Sequence, residues 1–300
     1  MRVVFFFLLV IMWCNSCTNS KRSEPEESNY PRVIDEDKEK PDTSNIPSPF
    51  TEKGKETDTS NFPSHTIEAR EETDTPNFPV SSIEKEAQKW FRSAIEKHEL
   101  EDYRGAIEDY TTALEINPWF IEAYHNRGLT KGRLLDYKGA IEDYNKAIEI
   151  NPSDAQAYYY RGAAKRRIGD PWGAIEDYSK AIEINPEHDQ AYVNRAAAKI
   201  DLGNYTGAIE DCNLAIAHEP EDAVAYFNRG VAKHELGNHR EAIKDLTSAI
   251  ELNPENAQAY FARGVAKLVI NDLSSGCSDL HEAKKLGHEV AGDAIRDFCN

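Results

Sequence analysis

Side chains able to carry charge recur along this 300-residue chain at one fixed interval. Lysine stands at Lys97, Lys131, Lys165, Lys199, Lys233 and Lys267, each 34 residues after the last. Aspartate keeps the same step at Asp109, Asp143, Asp177, Asp211, Asp245 and Asp279, and arginine at Arg127, Arg161, Arg195, Arg229 and Arg263. A row of one sign would suit an anionic ligand. Rows of opposite sign sharing one period instead predict pairing inside each unit, since a buried charge is stable only when paired. A neutral row shares the period: Asn126, Tyr160, Asn194, Asn228 and Ala262. An amide both donates and accepts, so such a row matches an extended peptide's backbone without reading its side chains. Beside it run His125, Tyr159, Phe227 and Phe261, and then Gln156, Gln190 and Gln258.

Catalytic chemistry has no comparable pattern. There is no glycine-rich phosphate loop and no strained serine turn. The nine histidines are scattered, none at the helical spacing that would bring two onto one metal. His234 and His239 fall on opposite sides of an inter-helix turn and are expected on the surface. The chain is therefore expected to be non-enzymatic, without cofactor or metal. With 53 Asp and Glu against 35 Lys and Arg, its net charge is −18. It lacks the basic face that nucleic acid requires.

The period itself describes the elements. Asn-Pro recurs at Asn117, Asn151, Asn185 and Asn253, with Glu219-Pro220 in the gap, and Gly-Ala-Ile-Glu-Asp begins at Gly105, Gly139, Gly173 and Gly207. This pattern resembles the tetratricopeptide repeat. Six repeats follow, 87–120, 121–154, 155–188, 189–222, 223–256 and 257–290, with a capping helix at 291–300. The resemblance implies an all-α fold, a right-handed α-solenoid of helical hairpins. An aromatic holds the fourth place of every repeat (Trp90, Tyr124, Tyr158, Tyr192, Tyr226, Tyr260) and is expected to fill the hole beside small residues such as Gly128 and Ala140. Asp or Asn at Asp102, Asp136, Asp170, Asn204, Asn238 and Asp272 stands where the second helix needs a cap. Proline at the thirty-second place ends that helix.

The N-terminal part has another character. Met1-Arg2 is followed by eleven apolar residues, Val3 to Trp13, half of the roughly 20 a membrane-spanning helix needs and suited to a signal. Residues 1–16 with Cys17 resemble a bacterial lipoprotein signal, which implies acylation at Cys17; an ordinary secretory signal or an uncleaved anchor are the other readings. Residues 17–84 read as a disordered acidic linker rich in Ser, Thr and Pro. Within it Asp-Thr-Ser-Asn-Ile-Pro at 42–47 returns as Asp-Thr-Ser-Asn-Phe-Pro at 58–63 and Asp-Thr-Pro-Asn-Phe-Pro at 74–79, steps of 16 residues. These copies read as a duplicated spacer or as a docking motif anchored by Ile46, Phe62 and Phe78.

The C-terminal departures, Gly276 to Leu280 and Leu286-Gly287, resemble secreted repeat proteins of Bacteroidota-type bacteria. Cys277 and Cys299 would lie on adjacent helices, either bonded, as an oxidising compartment permits, or as two buried thiols. Cys212 reads as packing. By the family resemblance the first helix of each repeat lines a concave face, and the asparagine row resembles the ladder with which O-GlcNAc transferase holds peptides. The carboxylate clamp of chaperone-binding repeats is not matched, since the ninth place is apolar (Ile95, Leu129, Ala163, Ala197, Val231, Val265). The expected function is a scaffold tethered to the bacterial envelope, in the periplasm or at the cell surface, binding peptide or protein partners through the groove. The alternatives are a structural subunit using its convex or edge surface, and carbohydrate binding by stacked aromatics.

Overall fold

A computed structural model of the chain describes residues 80–299. The signal, Cys17 and the linker copies at 42–47, 58–63 and 74–79 lie outside the described residues. Among the described residues there are thirteen α-helices and no strand. They are α1 (Val80–Glu99), α2 (Tyr103–Ile116), α3 (Ile121–Arg133), α4 (Tyr137–Ile150), α5 (Ala155–Arg167), α6 (Pro171–Ile184), α7 (Asp189–Asp201), α8 (Tyr205–His218), α9 (Ala223–Glu235), α10 (His239–Leu252), α11 (Ala257–Val269), α12 (Leu273–Lys285) and α13 (Ala291–Phe298). Helix α1 begins ahead of the repeat start at Ala87, so residues 80–84 of the expected linker are helical. No described helix is long and apolar enough to cross a membrane.

Periodic signals bound the helices. Asp102, Asp136, Asp170 and Asn204 accept from the backbone N–H of Gly105, Gly139, Gly173 and Gly207 at 2.9–3.1 Å. A Cβ on these glycines would strike the capping side chain. Where Ser275 replaces glycine the bond to Asp272 lengthens to 3.3 Å. Where Glu241 replaces it, Asn238 makes no side-chain cap bond, so five of the six expected caps form. The even helices α2, α4, α6 and α10 end at the asparagine of Asn-Pro. Its Oδ1 accepts from the N–H two residues on, at 3.1–3.2 Å, an Asx turn that reverses the chain.

Each odd helix from α1 to α11 ends on a left-handed residue: Glu101, Leu135, Gly169, Gly203, Gly237 or Asn271. The next N–H then reaches the carbonyl five residues back, as Asp136 does to Lys131 at 2.9 Å, the bond of a Schellman motif. Glycine takes this conformation freely, whereas Leu135 holds it at a cost of about 1–2 kcal/mol.

Within each hairpin the small residues admit a plug from the partner helix. A Cβ on Gly128 would lie 2.7 Å from the Tyr144 ring, and one on Gly230 2.8 Å from Leu246. Tyr110, Tyr144, Tyr178, Cys212, Leu246 and Leu280 fill this place in turn, all buried. The fourth-place aromatics do not fill it, contrary to the sequence expectation. Five of them stack under arginine, with guanidinium carbons 5.3–5.6 Å from the ring centres. At the C-terminal end Ala291, Ile295 and Phe298 of α13 cover Leu268 and Leu280, and a disulfide joins Cys277 of α12 to Cys299.

Candidate peptide-binding groove

Odd helices touch one another across successive repeats, while even helices make little such contact. The stack therefore curves with the odd helices inside, and their free faces form a concave groove. The residues expected to line it lie on the odd helices, at different depths. Asn126 is 0% exposed and Asn228 7%; the Asn228 Nδ2 donates to the Val193 carbonyl at 3.4 Å. Asn194, half-buried, donates to the Tyr159 hydroxyl at 2.8 Å. His125, Tyr159, Tyr160 and Phe261 are buried as well. The rings that would stack on a sugar are thus largely covered.

These buried groups form a polar layer beneath the groove. His125 Nε2 lies 3.0 Å from an Asp154 carboxylate oxygen. Burial pushes that carboxyl up, but the hydrogen bonds from His125 and from the Ala157 and Gln156 N–H groups outweigh it and hold Asp154 below its ordinary range. Burial pushes the Tyr159 phenol up to about 12 despite the bond from Asn194. His188 lies over Tyr159 with ring centres 4.7 Å apart, and His288 stacks on Phe261 at 4.1 Å. Above this layer Gln190, Val224 and Gln258 are exposed, Gln156 and Phe227 half-buried. Ala163, Ala197 and Val265 form a partly open apolar floor.

The recurrent charges do not enter the groove. Asp211 accepts from Nε and Nη2 of Arg195 at 2.9 and 2.7 Å and from Lys199 Nζ at 2.7 Å. The same triad links Arg127, Arg161, Arg229 and Arg263 to Asp143, Asp177, Asp245 and Asp279, with Lys131, Lys165, Lys233 and Lys267. In the first repeat Ser93 and Lys97 hold Asp109, both at 2.6 Å. The pairing expected from two rows of opposite sign is present in every hairpin.

Other placements were not foreseen. Each arginine also donates through Nη1 to the preceding repeat, at Thr111, Asn145, Ser179, Asn213 and Thr247 in turn, at 2.7–3.1 Å. The signal was present, a small polar residue every 34 positions, but without geometry it has no partner. His234 and His239 are not separate surface residues: the turn sets their Nδ1 atoms 3.2 Å apart. Burial, reinforced by His239, lowers the His234 imidazole to about 4. Among the described residues no group of three or more His, Cys, Asp or Glu side chains could hold a metal ion.

Family comparison decides what this architecture is. The TPR repeat family matches residues 96–134 and 136–169, and two tetratricopeptide repeat models match 155–188 with 223–256, and 189–222. Together they cover more than half of the chain. It belongs to the tetratricopeptide repeat family. Solved structures share the fold. The crystal structure of the MamA protein is 27% identical, with a TM-score of 0.52 over 57% of this chain and 94% of that one. A tetratricopeptide repeat protein from Parabacteroides merdae is 23% identical, with a TM-score of 0.57 over 71% and 84%. YrrB, described as a TPR protein with an unusual peptide-binding site, is 22% identical, with a TM-score of 0.51 over 62% and 97%. No curated protein matches the chain.

Proposed function

We propose that this tetratricopeptide repeat protein is a non-enzymatic scaffold whose concave groove holds an extended segment of a partner protein. The observation that carries the reading is the groove's outer layer. Gln190 and Gln258 project exposed amides beside an apolar floor, while the recurrent charges are consumed between the helices. Such a surface suits a peptide backbone with scattered apolar side chains. Behind the contact layer lie the buried or half-buried His125, Asn126, Tyr159, Tyr160, Asn194, Asn228 and Phe261, and Phe227 stands half-buried at the surface. The peptide-binding site of YrrB, a relative in fold, supports the same use of such an array here.

A lipid on Cys17, with residues 18–79 as tether, would hold the array at the bacterial envelope. As a coil this tether reaches roughly 40–50 Å. Two experiments test the proposal in the native host. Photo-crosslinkers at Gln190 and Gln258 should capture a defined partner that a crosslinker at Glu176, exposed on α6, does not. Cys17→Ala should abolish fatty-acid labelling and release the protein from membranes. A second reading, docking through the rims, draws on Trp119 and Trp172, 74% and 69% exposed. Capture at those two sites alone would replace the groove reading.

A further inference from the structure

Two residues at the tips of the hairpins break the period without serving the fold. The left-handed place of each turn holds Glu101, Leu135, Gly169, Gly203, Gly237 or Asn271. Three places on stand Arg104, Lys138, Trp172, Thr206, Arg240 and Ser274. Leu135 keeps a strained backbone yet is 60% exposed, and Trp172 is 69% exposed. Leu134 and Ile168, at the ends of α3 and α5, are exposed beside them. Successive turns lie within side-chain reach, as the bond from Arg166 Nε to Asp201 of the next turn shows. The four side chains therefore make one apolar tip across the second and third repeats. Strain kept for a side chain that gains so little burial points to something outside the chain.

This tip is cationic in an acidic molecule. Residues 130–138 and 164–172 carry six Lys and Arg side chains against Asp136 and Asp170. Asp201 offsets Arg166, and Asp143 and Asp177 beneath the turns each face two cations. A net positive charge remains, with Lys138 and Arg167 exposed at the rim. The opposite edge, where one repeat passes to the next, is the reverse. Residues 115–123, 149–156, 183–190, 217–224 and 251–258 carry twelve acidic side chains and no Lys or Arg. Helix α3, thirteen residues long, holds the two edges about 20 Å apart. Charge is screened over about 8 Å at physiological salt, so the tip's own sign governs what approaches it.

Shape selects the occupant. The tip is the end of two hairpins rather than a cleft, so it suits a surface that yields around projecting side chains. A lipid headgroup layer is such a surface. Apolar side chains sink about 5–10 Å into it, and tryptophan favours that interface. Each nearby Lys or Arg strengthens attachment to an anionic leaflet about fivefold.

We propose that the turn edge of the second and third repeats docks onto an anionic lipid surface. Leu135 and Trp172 enter the headgroup layer, and Lys138 and Arg167 lie against the lipid phosphates. The acidic edge is then turned away from the surface. No residue of the groove takes part, so this contact stands whether or not a peptide occupies the groove.

The test uses the full-length chain in vesicles of phosphatidylglycerol and phosphatidylcholine in equal parts. A fluorescent amino acid replaces Trp172, or Trp119 on the opposite edge. Lipids brominated on their acyl chains should quench the label at position 172 and leave the one at 119 bright. Lys138→Glu/Arg167→Glu should lower the docked-to-free ratio more than tenfold, as should phosphatidylcholine alone. Leu135→Gly should lower it about tenfold while the urea midpoint rises, which separates a contact from a role in folding. No quenching at 172, equal quenching at both positions, or quenching undiminished in these variants overturns the proposal. Equal quenching on phosphatidylcholine alone also overturns it, because the cations then have no part. If 172 stays bright and a photo-crosslinker there joins two copies or a partner protein, the edge belongs to a protein contact instead. If Gln190 captures a partner while 172 stays bright, only the lipid contact fails. If 172 is quenched and Gln190 captures nothing, the scaffold reading fails alone.

Discussion

Removing the carboxylate of Asp177 asks whether the charges between the helices are structural. Its oxygens accept from Nε and Nη2 of Arg161 at 2.9 and 2.6 Å and from Nζ of Lys165 at 2.8 Å. The aspartate side chain is 4% exposed, and the two cations 18% and 21%. Asp177→Ala leaves both cations about four-fifths buried without their carboxylate, Arg161 keeping its bond to Asn145 and its place over Tyr158. Breaking one side of a buried pair costs about 3–5 kcal/mol, and the remaining access to water sets this case at the lower end, about 3 kcal/mol. Replacing the whole triad (Asp177→Leu, Arg161→Met, Lys165→Met) strands no charge and should stay within about 1–2 kcal/mol of the parent. Because each repeat contacts only its neighbours, the loss is local. Hydrogen exchange should accelerate about a hundredfold in α5 and α6 and remain unchanged in α10 to α12. Urea unfolding followed by circular dichroism gives the total. A loss below about 1 kcal/mol for Asp177→Ala, the value of an exposed pair, would refute the reasoning.

Leu135→Gly should stabilise the second repeat by about 1 kcal/mol, since Leu135 holds a φ of 62° that glycine adopts without strain; a lower urea midpoint would contradict this. Cys299→Ser opens a disulfide of sequence separation 22, and the chain-entropy account assigns it about 3 kcal/mol. Exchange should show that loss confined to α13 and its seat on α12. Acid should destabilise the array through its buried imidazoles. His234 is held to about 4 against 6.5 when unfolded, so between these values the unfolded chain takes up a proton that the folded chain refuses. Stability is full above about pH 7 and falls by up to about 3 kcal/mol as the pH drops through this window. His98 and His288 act in the same direction. Melting temperatures from pH 7.5 to 4.5 should flatten in His234→Gln, and an unchanged slope would remove His234 from the account.

What could be read without coordinates was whatever the period repeats. The caps at Asp102, Asp136 and Asp170, the small residues facing the plugs, and the Arg, Lys and Asp rows all recur because every hairpin solves one packing problem. Depth is another matter. Asn126, Asn194 and Asn228 occupy equivalent places, yet one is wholly buried, one is bonded to a tyrosine of the preceding repeat and one reaches a backbone carbonyl. Their environments depend on neighbours one repeat away, and those neighbours vary: Tyr159 and Val193 stand at the same place in successive repeats. The His234–His239 contact was hidden for a related reason. Five residues is no helical spacing, and only the left-handed turn at Gly237 brings the rings together.

Each internal arginine looks backward, to the small polar residue of the repeat before it. The first repeat has Ser93 where that arginine would stand. In the last, the polar place holds His281, whose Nδ1–H donates to the carbonyl of Cys277 in its own helix at 2.7 Å. The array thus has a direction and two distinct chemical ends. A unit copied from the interior brings one arginine for the unit before it and one acceptor for the unit after it. Growth by duplication therefore leaves every bond satisfied, while a copied first unit would interrupt the series. Such a chain can lengthen from within, by whole repeats, without altering either terminus.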